Sequence, residues 1–173
     1  MSAEPRSRAQ RRRDTEHRLT HDIDVWVASA SADGAPYLVP LSFVWDGEAL
    51  LVATPTGSPT GRNLATTRTV RLGLGQTRDV SMIDGEVEVL EIDALPQQQG
   101  DRFAARAGFD PRTLATPYRW FRISPRRIQV WREVNELPDR ELMRDGRWQA
   151  GQIESGDADG DREGGSAQQM ETR

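Results

Sequence analysis

The sequence contains no cysteine and no lysine; all 23 of its basic residues are arginine. Without a thiol there is no disulfide, no thiolate nucleophile and no Cys-ligated metal. Without lysine there is no Schiff-base chemistry and no lysine for a phosphate-binding P-loop. Histidine is almost missing as well. The only two, His17 and His21, lie at the N-terminal edge, so neither a Ser-His-Asp triad nor a multi-His metal site can be assembled from the core. An enzyme made from this chain takes its chemistry from a bound cofactor or from carboxylates. Long hydrophobic runs are absent too: no stretch approaches the roughly 18 apolar residues of a membrane span, and no apolar segment follows the N-terminal charges as a secretory signal requires. The sequence therefore predicts a cytoplasmic protein.

What is present fits one domain with two polar ends. The chain has 173 residues, 36% hydrophobic and 29% charged, enough for one well-buried core. Residues 1–18 carry six Arg against three acids, whereas 151–173 carry two Arg against six acids. The middle is left mildly acidic, which argues against an extended nucleic-acid footprint. The expected organisation is a basic flexible arm over 1–18, a folded domain over 19–150 and a disordered acidic, Gly-rich tail over 151–173. The arm, with Arg11-Arg12-Arg13, lacks apolar periodicity and reads as solvated and partly helical; contact with nucleic acid or acidic lipid is its alternative use.

From Val25 the pattern turns to period two. Val25 and Val27 alternate with Trp26 and Ala28 until Asp33-Gly34, a hairpin signal because both central positions favour positive φ. A long strand follows, with Tyr37, Val39, Leu41, Phe43 and Trp45 alternating with Leu38, Pro40, Ser42 and Val44. Pro40 cannot donate to a ladder and belongs at an edge or bulge, where backbone groups are free to meet a ligand or simply water. After Asp46-Gly47 a third strand covers Glu48 to Thr54. It ends in the loop Pro55 to Gly61, and Arg62-Asn63-Leu64-Ala65 then opens a short helix with Ser58 or Thr60 as its cap. Helix-start amides, two hydroxyls and an arginine compose a phosphate cradle or, read plainly, an ordinary helix cap.

Further strands are expected over Val70 to Gly75 and over Asp79 to Ile92. Asp84-Gly85 inside the second is either a turn or a bulge where a barrel strand bends. Gly73-Leu74-Gly75-Gln76-Thr77-Arg78 is not a dinucleotide fingerprint, since Arg78 replaces its third glycine and strand, not helix, follows. Leu95 to Gly108 is the clear helix. Tyr118 to Ser124 and Arg126 to Val134 read as two strands around Pro125, and Glu141 to Trp148 holds one more turn at Asp145-Gly146. The sum is a mainly β, six- to eight-stranded antiparallel domain with one or two short helices and closed or nearly closed edges.

The order of these signals resembles the pyridoxamine phosphate oxidase-like family of flavin-binding split β-barrels, Greek-key in type, over roughly Leu19 to Trp148. The residues that carry it are Trp26 to Ala30, Asp33 to Pro36, Val39 to Gly47, Leu50 to Thr54, Gly61-Arg62-Asn63-Leu64, Val70-Arg71-Leu72 and Arg127 to Arg132. The resemblance implies a homodimer with FMN at the subunit interface, and a deazaflavin coenzyme as the alternative cofactor. It implies that the ring lies along Val39, Pro40, Leu41 and Ser42, with Thr54 ending the neighbouring strand. The phosphate would meet Ser58, Thr60, Arg62 and Asn63. Gln76 and Arg78 would face the ring or ribityl chain, and Trp131 would come from the other subunit. Hydride would pass between flavin N5 and a small organic substrate without a protein acid or base; a split-barrel module that binds flavin or haem without turnover is the competing class. Thr60 stands where relatives often carry Lys, leaving Arg62 the only fixed positive charge of the loop. Nothing matches the C-terminal signature that grips pyridoxal phosphate.

Overall fold

A computed structural model describes residues 4–150. Eight strands form one antiparallel sheet: β1 (Asp24–Ala30), β2 (Pro36–Trp45), β3 (Leu50–Pro55), β4 (Thr69–Gln76), β5 (Asp79–Glu91), β6 (Tyr118–Trp131), β7 (Glu141–Arg144) and β8 (Arg147–Trp148). Their order is β3-β2-β1-β4-β5-β6-β7-β8, and β3 also pairs with β6. That extra pairing closes six strands into a barrel and leaves β7 and β8 as an appended hairpin. The run β3-β2-β1-β4 places the fourth strand beside the first, which is a Greek key.

Period-two patterning fills the barrel. Val25, Val27, Phe43, Val52, Leu72, Ile83, Phe121, Ile123 and Ile128 are essentially inaccessible and form one cluster. Asp84-Gly85 is a bulge: the β5–β6 register shifts there, with Gly85 opposite Pro125. A Cβ at Gly85 would stand 2.6 Å from Ile123 Cγ2, so only glycine lets the two strands close at the bend. The two strands expected around Pro125 are therefore one continuous strand, β6, because the bulge absorbs the proline without breaking the ladder.

Three α-helices are present among the described residues, more than the one or two expected. α2 (Pro59–Thr67) packs on β1, β2, β3 and β5, and α3 (Gln97–Ala107) lies over β2. Phe103 of α3 meets Trp120 edge-on at 5.0 Å in a second, smaller core with Val44, Leu51 and Ala53. α1 (Arg8–His21) covers most of the segment read as a solvated arm, and one face of it is buried through Arg11, Thr15 and Leu19. Arg11 donates to Asp139 O (2.8 Å) and Asp139 Oδ2 (3.2 Å), and Thr15 Oγ1 shares a 2.8 Å hydrogen bond with Ser81 Oγ.

Just before α1, Arg6 donates to both carboxylate oxygens of Glu136, at 3.0 and 2.8 Å, and pairs with Asp14 and Asp79. Glu136 is 3% exposed. The Arg6 bonds, against an opposing effect of burial, hold its carboxyl down to about 2. Burial pushes the Asp79 carboxyl up, but its bonds to Arg132 and Arg18 outweigh burial and keep it below the usual range. The segment 151–173, expected to be a disordered tail, lies outside the described residues.

Candidate functional site

The site begins where two strands part. β2 and β3 pair only at Phe43↔Val52, Val44↔Leu51 and Trp45↔Leu50. Beyond Val52, β3 follows β6, with Ala53, Thr54 and Pro55 opposite Trp120, Arg119 and Tyr118, while β2 stays with β1 as far back as Pro36. A cleft opens between the two, with α2 starting at its far side. On either side of the parting the strand keeps its alternation, with Phe43 and Val52 in the barrel core and Val44, Leu51 and Ala53 with Phe103 and Trp120 in the second core.

Backbone hydrogen-bond parity decides what the cleft presents. Phe43 N donates to Ile23 O at 2.9 Å, so alternation along the antiparallel pair gives β1 the odd-numbered residues of β2. Leu38, Pro40 and Ser42 accordingly turn their backbone groups toward the open edge. Pro40 loses nothing there by lacking an N–H, which is the physical reason a proline sits mid-strand. The edge offers the Pro40 carbonyl as acceptor and Ser42 N–H as donor, a spacing suited to the rim of a flat heterocycle. Val39 and Leu41 instead pack against the core.

At the far side the polar residues serve the fold more than a ligand. Ser58 caps α2: its hydroxyl accepts from Gly61 N (3.0 Å), donates to Pro55 O (2.8 Å) and shares a 3.1 Å bond with Thr54 Oγ1. One donor and two acceptor positions exhaust a hydroxyl, so Ser58 is saturated. A Cβ at Gly61 would lie 2.3 Å from Pro55 O, which explains glycine in this tight first turn. Asn63 donates to Ser29 Oγ at 3.1 Å and ties α2 to β1. Thr60 is 2% exposed, and its Oγ1 has no hydrogen-bond partner. Arg62 is exposed at the helix start, with one guanidinium nitrogen on Gly57 O. Pro40 O and Ser42 N–H are the acceptor and donor that the ring edge of a flavin-type cofactor would need. Its phosphate end would be held by the Arg62 guanidinium and the start of α2, with Thr60 as an unpartnered hydroxyl beside them.

The remaining residues singled out from the sequence do not reach this cleft within one chain. Gln76 ends β4 and Arg78 lies in the β4–β5 turn, where it pairs with Glu133 at 3.0 Å. Trp131 pairs with Val80 at the end of β6 away from its pairing with β3, under the Arg140 guanidinium at 5.5 Å. Between them the outer sheet face is apolar: Trp26 is 51% and Leu38 59% exposed, and Trp26 stands opposite both Pro40 and Gly73. A groove of about 520 Å³ continues this face over Ala28, Ala30 and Gly85, but its arginines are neutralised, Arg71 by Asp84 and Arg126 by Glu86. The side of the cleft that sequence reasoning missed is Ala53, whose backbone faces β2 across the split by the same alternation; no residue-type signal marks an alanine.

With this geometry in place the comparisons are decisive on family. The family model for pyridoxamine 5'-phosphate oxidase matches residues 17–132. The chain belongs to this family. The match takes in the whole closed barrel and leaves out the β7–β8 hairpin. Among solved structures, an oxidase candidate of the same family from Listeria innocua aligns with TM-score 0.56 at 16% identity, covering 71% of this chain and 97% of that one. HutZ, a haem storage protein from Vibrio cholerae, aligns with TM-score 0.55 at 18% identity, covering 69% and 94%. An F420 reductase aligns with TM-score 0.51 at 20% identity, covering 65% and 94%. Such identities show a shared fold. The comparison with curated proteins returned no match. Among the described residues no helix is long and apolar enough to cross a membrane.

Proposed function

We propose that this chain is a flavin-binding oxidoreductase that works as a homodimer, holding FMN in the β2–β3 cleft and serving hydride transfer between flavin N5 and a small organic substrate. The observation that carries the reading is the parting of β2 and β3 beside the start of α2, which leaves ring-edge backbone groups at one side and a guanidinium at the other. When bound, the flavin supplies the hydride chemistry. The chain's own groups orient and enclose: Pro40 O and Ser42 N–H fix the ring edge, and Arg62 with the α2 start takes the phosphate charge. The exposed Trp26–Leu38 face is the surface a second copy would cover, and only a second copy brings a Trp131 to the cleft.

The test is direct. Purified protein should absorb between about 350 and 500 nm, or take up added FMN and then do so. Protein that is colourless and takes up neither FMN nor a deazaflavin coenzyme would overturn the reading.

A second reading, binding without turnover, draws support from the saturation of Ser58 and from the cleft holding no carboxylate or imidazole among the described residues. A deazaflavin coenzyme is the alternative occupant of the same cleft. Among the described residues the cleft holds no histidine, which weighs against a haem ligated there by this side chain. Stopped-flow mixing with NAD(P)H or reduced deazaflavin separates the classes: fast reduction followed by reoxidation with an organic acceptor rules out mere binding.

A further inference from the structure

His17 and His21 have no part in the cleft. They sit four residues apart near the C-terminal end of α1, and both are exposed. Residues at this spacing lie over one another on a helix face, and here the two imidazoles are stacked, with centroids 4.0 Å apart and ring planes 21° from parallel. Two neutral rings facing each other in water gain little by stacking alone. Their hydrogen bonding shows what the arrangement suits.

His21 Nδ1 lies 2.9 Å from the backbone oxygen of His17. A carbonyl only accepts, so Nδ1 carries the proton and the neutral ring keeps its lone pair on Nε2, pointing away from the helix. That backbone bond is the outer support characteristic of ligating histidines, fixing tautomer and ring direction. Among the described residues neither ring nitrogen of His17 has a hydrogen-bond partner, so this ring is free to rotate out of the stack, as chelation requires because the in-plane lone pairs of stacked rings run parallel. Among the described residues no Arg or carboxylate pairs with either ring; of the charges around them on α1, Arg13 is bonded to Gln10, Asp14 to Arg6 and Gln10, Glu16 to Arg12, and Arg18 to Asp79 and Ser81.

We propose that His17 and His21 form a two-imidazole site for a late first-row divalent cation, with Ni2+ or Zn2+ as the class of ion. Imidazole nitrogen is the ligand type such ions favour, and helix spacing of four is the arrangement in which two histidines share one metal. No third His, Cys, Asp or Glu completes a cluster among the described residues, so water fills the other positions. The bound ion cross-links the last turn of α1 at its junction with β1. The inference is independent of the flavin reading.

Calorimetric titration of the full, untagged chain with NiCl2 and with ZnCl2 tests it. The expected result is one ion per chain, with affinity reduced about tenfold or more in His17→Ala and in His21→Ala, because each variant destroys the chelate. Both side chains are exposed, so the fold survives, and unchanged circular dichroism checks this. A histidine pair that serves only the helix dipole would show no metal heat in the wild type. That outcome, or a reduction smaller than tenfold in either variant, overturns the site.

Discussion

Two regions of this barrel are built in opposite ways. Around Glu136 the charges are paired: Arg6, Arg18 and Arg132 converge with Asp79 and Asp14, with Asp79 Oδ1 held by its ion pair to Arg6 and not by a hydrogen bond, and the N-terminal segment is clamped to the barrel wall. At the β2–β3 cleft, a strand edge is left open, a guanidinium stands in solvent with only a loop carbonyl, and a buried hydroxyl lacks a partner. Satisfied polar networks hold shape, while unsatisfied groups at a strand edge are where a ligand gains most. Abundance of arginine is thus no guide to a binding site in this chain. The densest arginine cluster is structural, and the candidate site has a single one.

The sharpest way to break the contrast is at the clamp. Glu136→Gln keeps the shape but removes the charge facing Arg6, and should cost on the order of 3 kcal/mol of stability, as for one lost partner of a buried pair. Urea denaturation measures it; cofactor affinity should stay within twofold, about 0.4 kcal/mol. An affinity that fell with stability would mean the two regions are coupled.

Acid gives the same comparison without mutation. The Glu136 carboxyl is depressed from 4.5 to about 2 in the folded state, so its contribution is complete above the unfolded value and is lost as pH falls from about 4.5 toward 2. The loss should be on the order of 2 kcal/mol, smaller than the shift alone suggests because the network is partly open to water. Denaturation midpoints measured across that range should flatten in Glu136→Gln; an unchanged acid limb would place the titration in another carboxylate.

At the cleft the expectation reverses. Arg62→Ala should weaken cofactor binding by about 1–3 kcal/mol, the range for a charge-assisted hydrogen bond, while moving the urea midpoint little. Unchanged affinity would put the phosphate elsewhere. The smallest effect is Pro40→Ala, which restores an N–H to an unpaired edge and should change stability by less than about 0.5 kcal/mol. A gain beyond that would show that the restored N–H finds an acceptor and that the edge is paired in solution.

Much of the barrel was legible from alternation alone. β1 to β5 follow the apolar period, and Asp84-Gly85 was already restricted to a turn or a bulge. Pro125 misled, since a proline between two strand-like runs signals a break unless the partner strand bulges opposite it, and that depends on Gly85 some 40 residues away. The partly helical arm was legible but its docking was not, because two of the buried positions of α1 are Arg11 and Thr15, held by hydrogen bonds instead of apolar contact, so no hydrophobic stripe announces a buried face. Ser58 and Asn63 were visible as polar residues near a helix start, but whether a hydroxyl is free or saturated depends on Pro55 O, Gly61 N and Ser29 finding it.

By itself the sequence determined the class of structure and the family. Turn residues and period-two runs are local, so they survive without knowledge of the fold, and the missing Cys, Lys and core His limited the chemistry before any contact was known. Tertiary structure alone decided which edge stays open. β3 leaves β2 after Val52 and continues along β6, because Ala53, Thr54 and Pro55 find their ladder partners in Trp120, Arg119 and Tyr118, which lie far away in the chain.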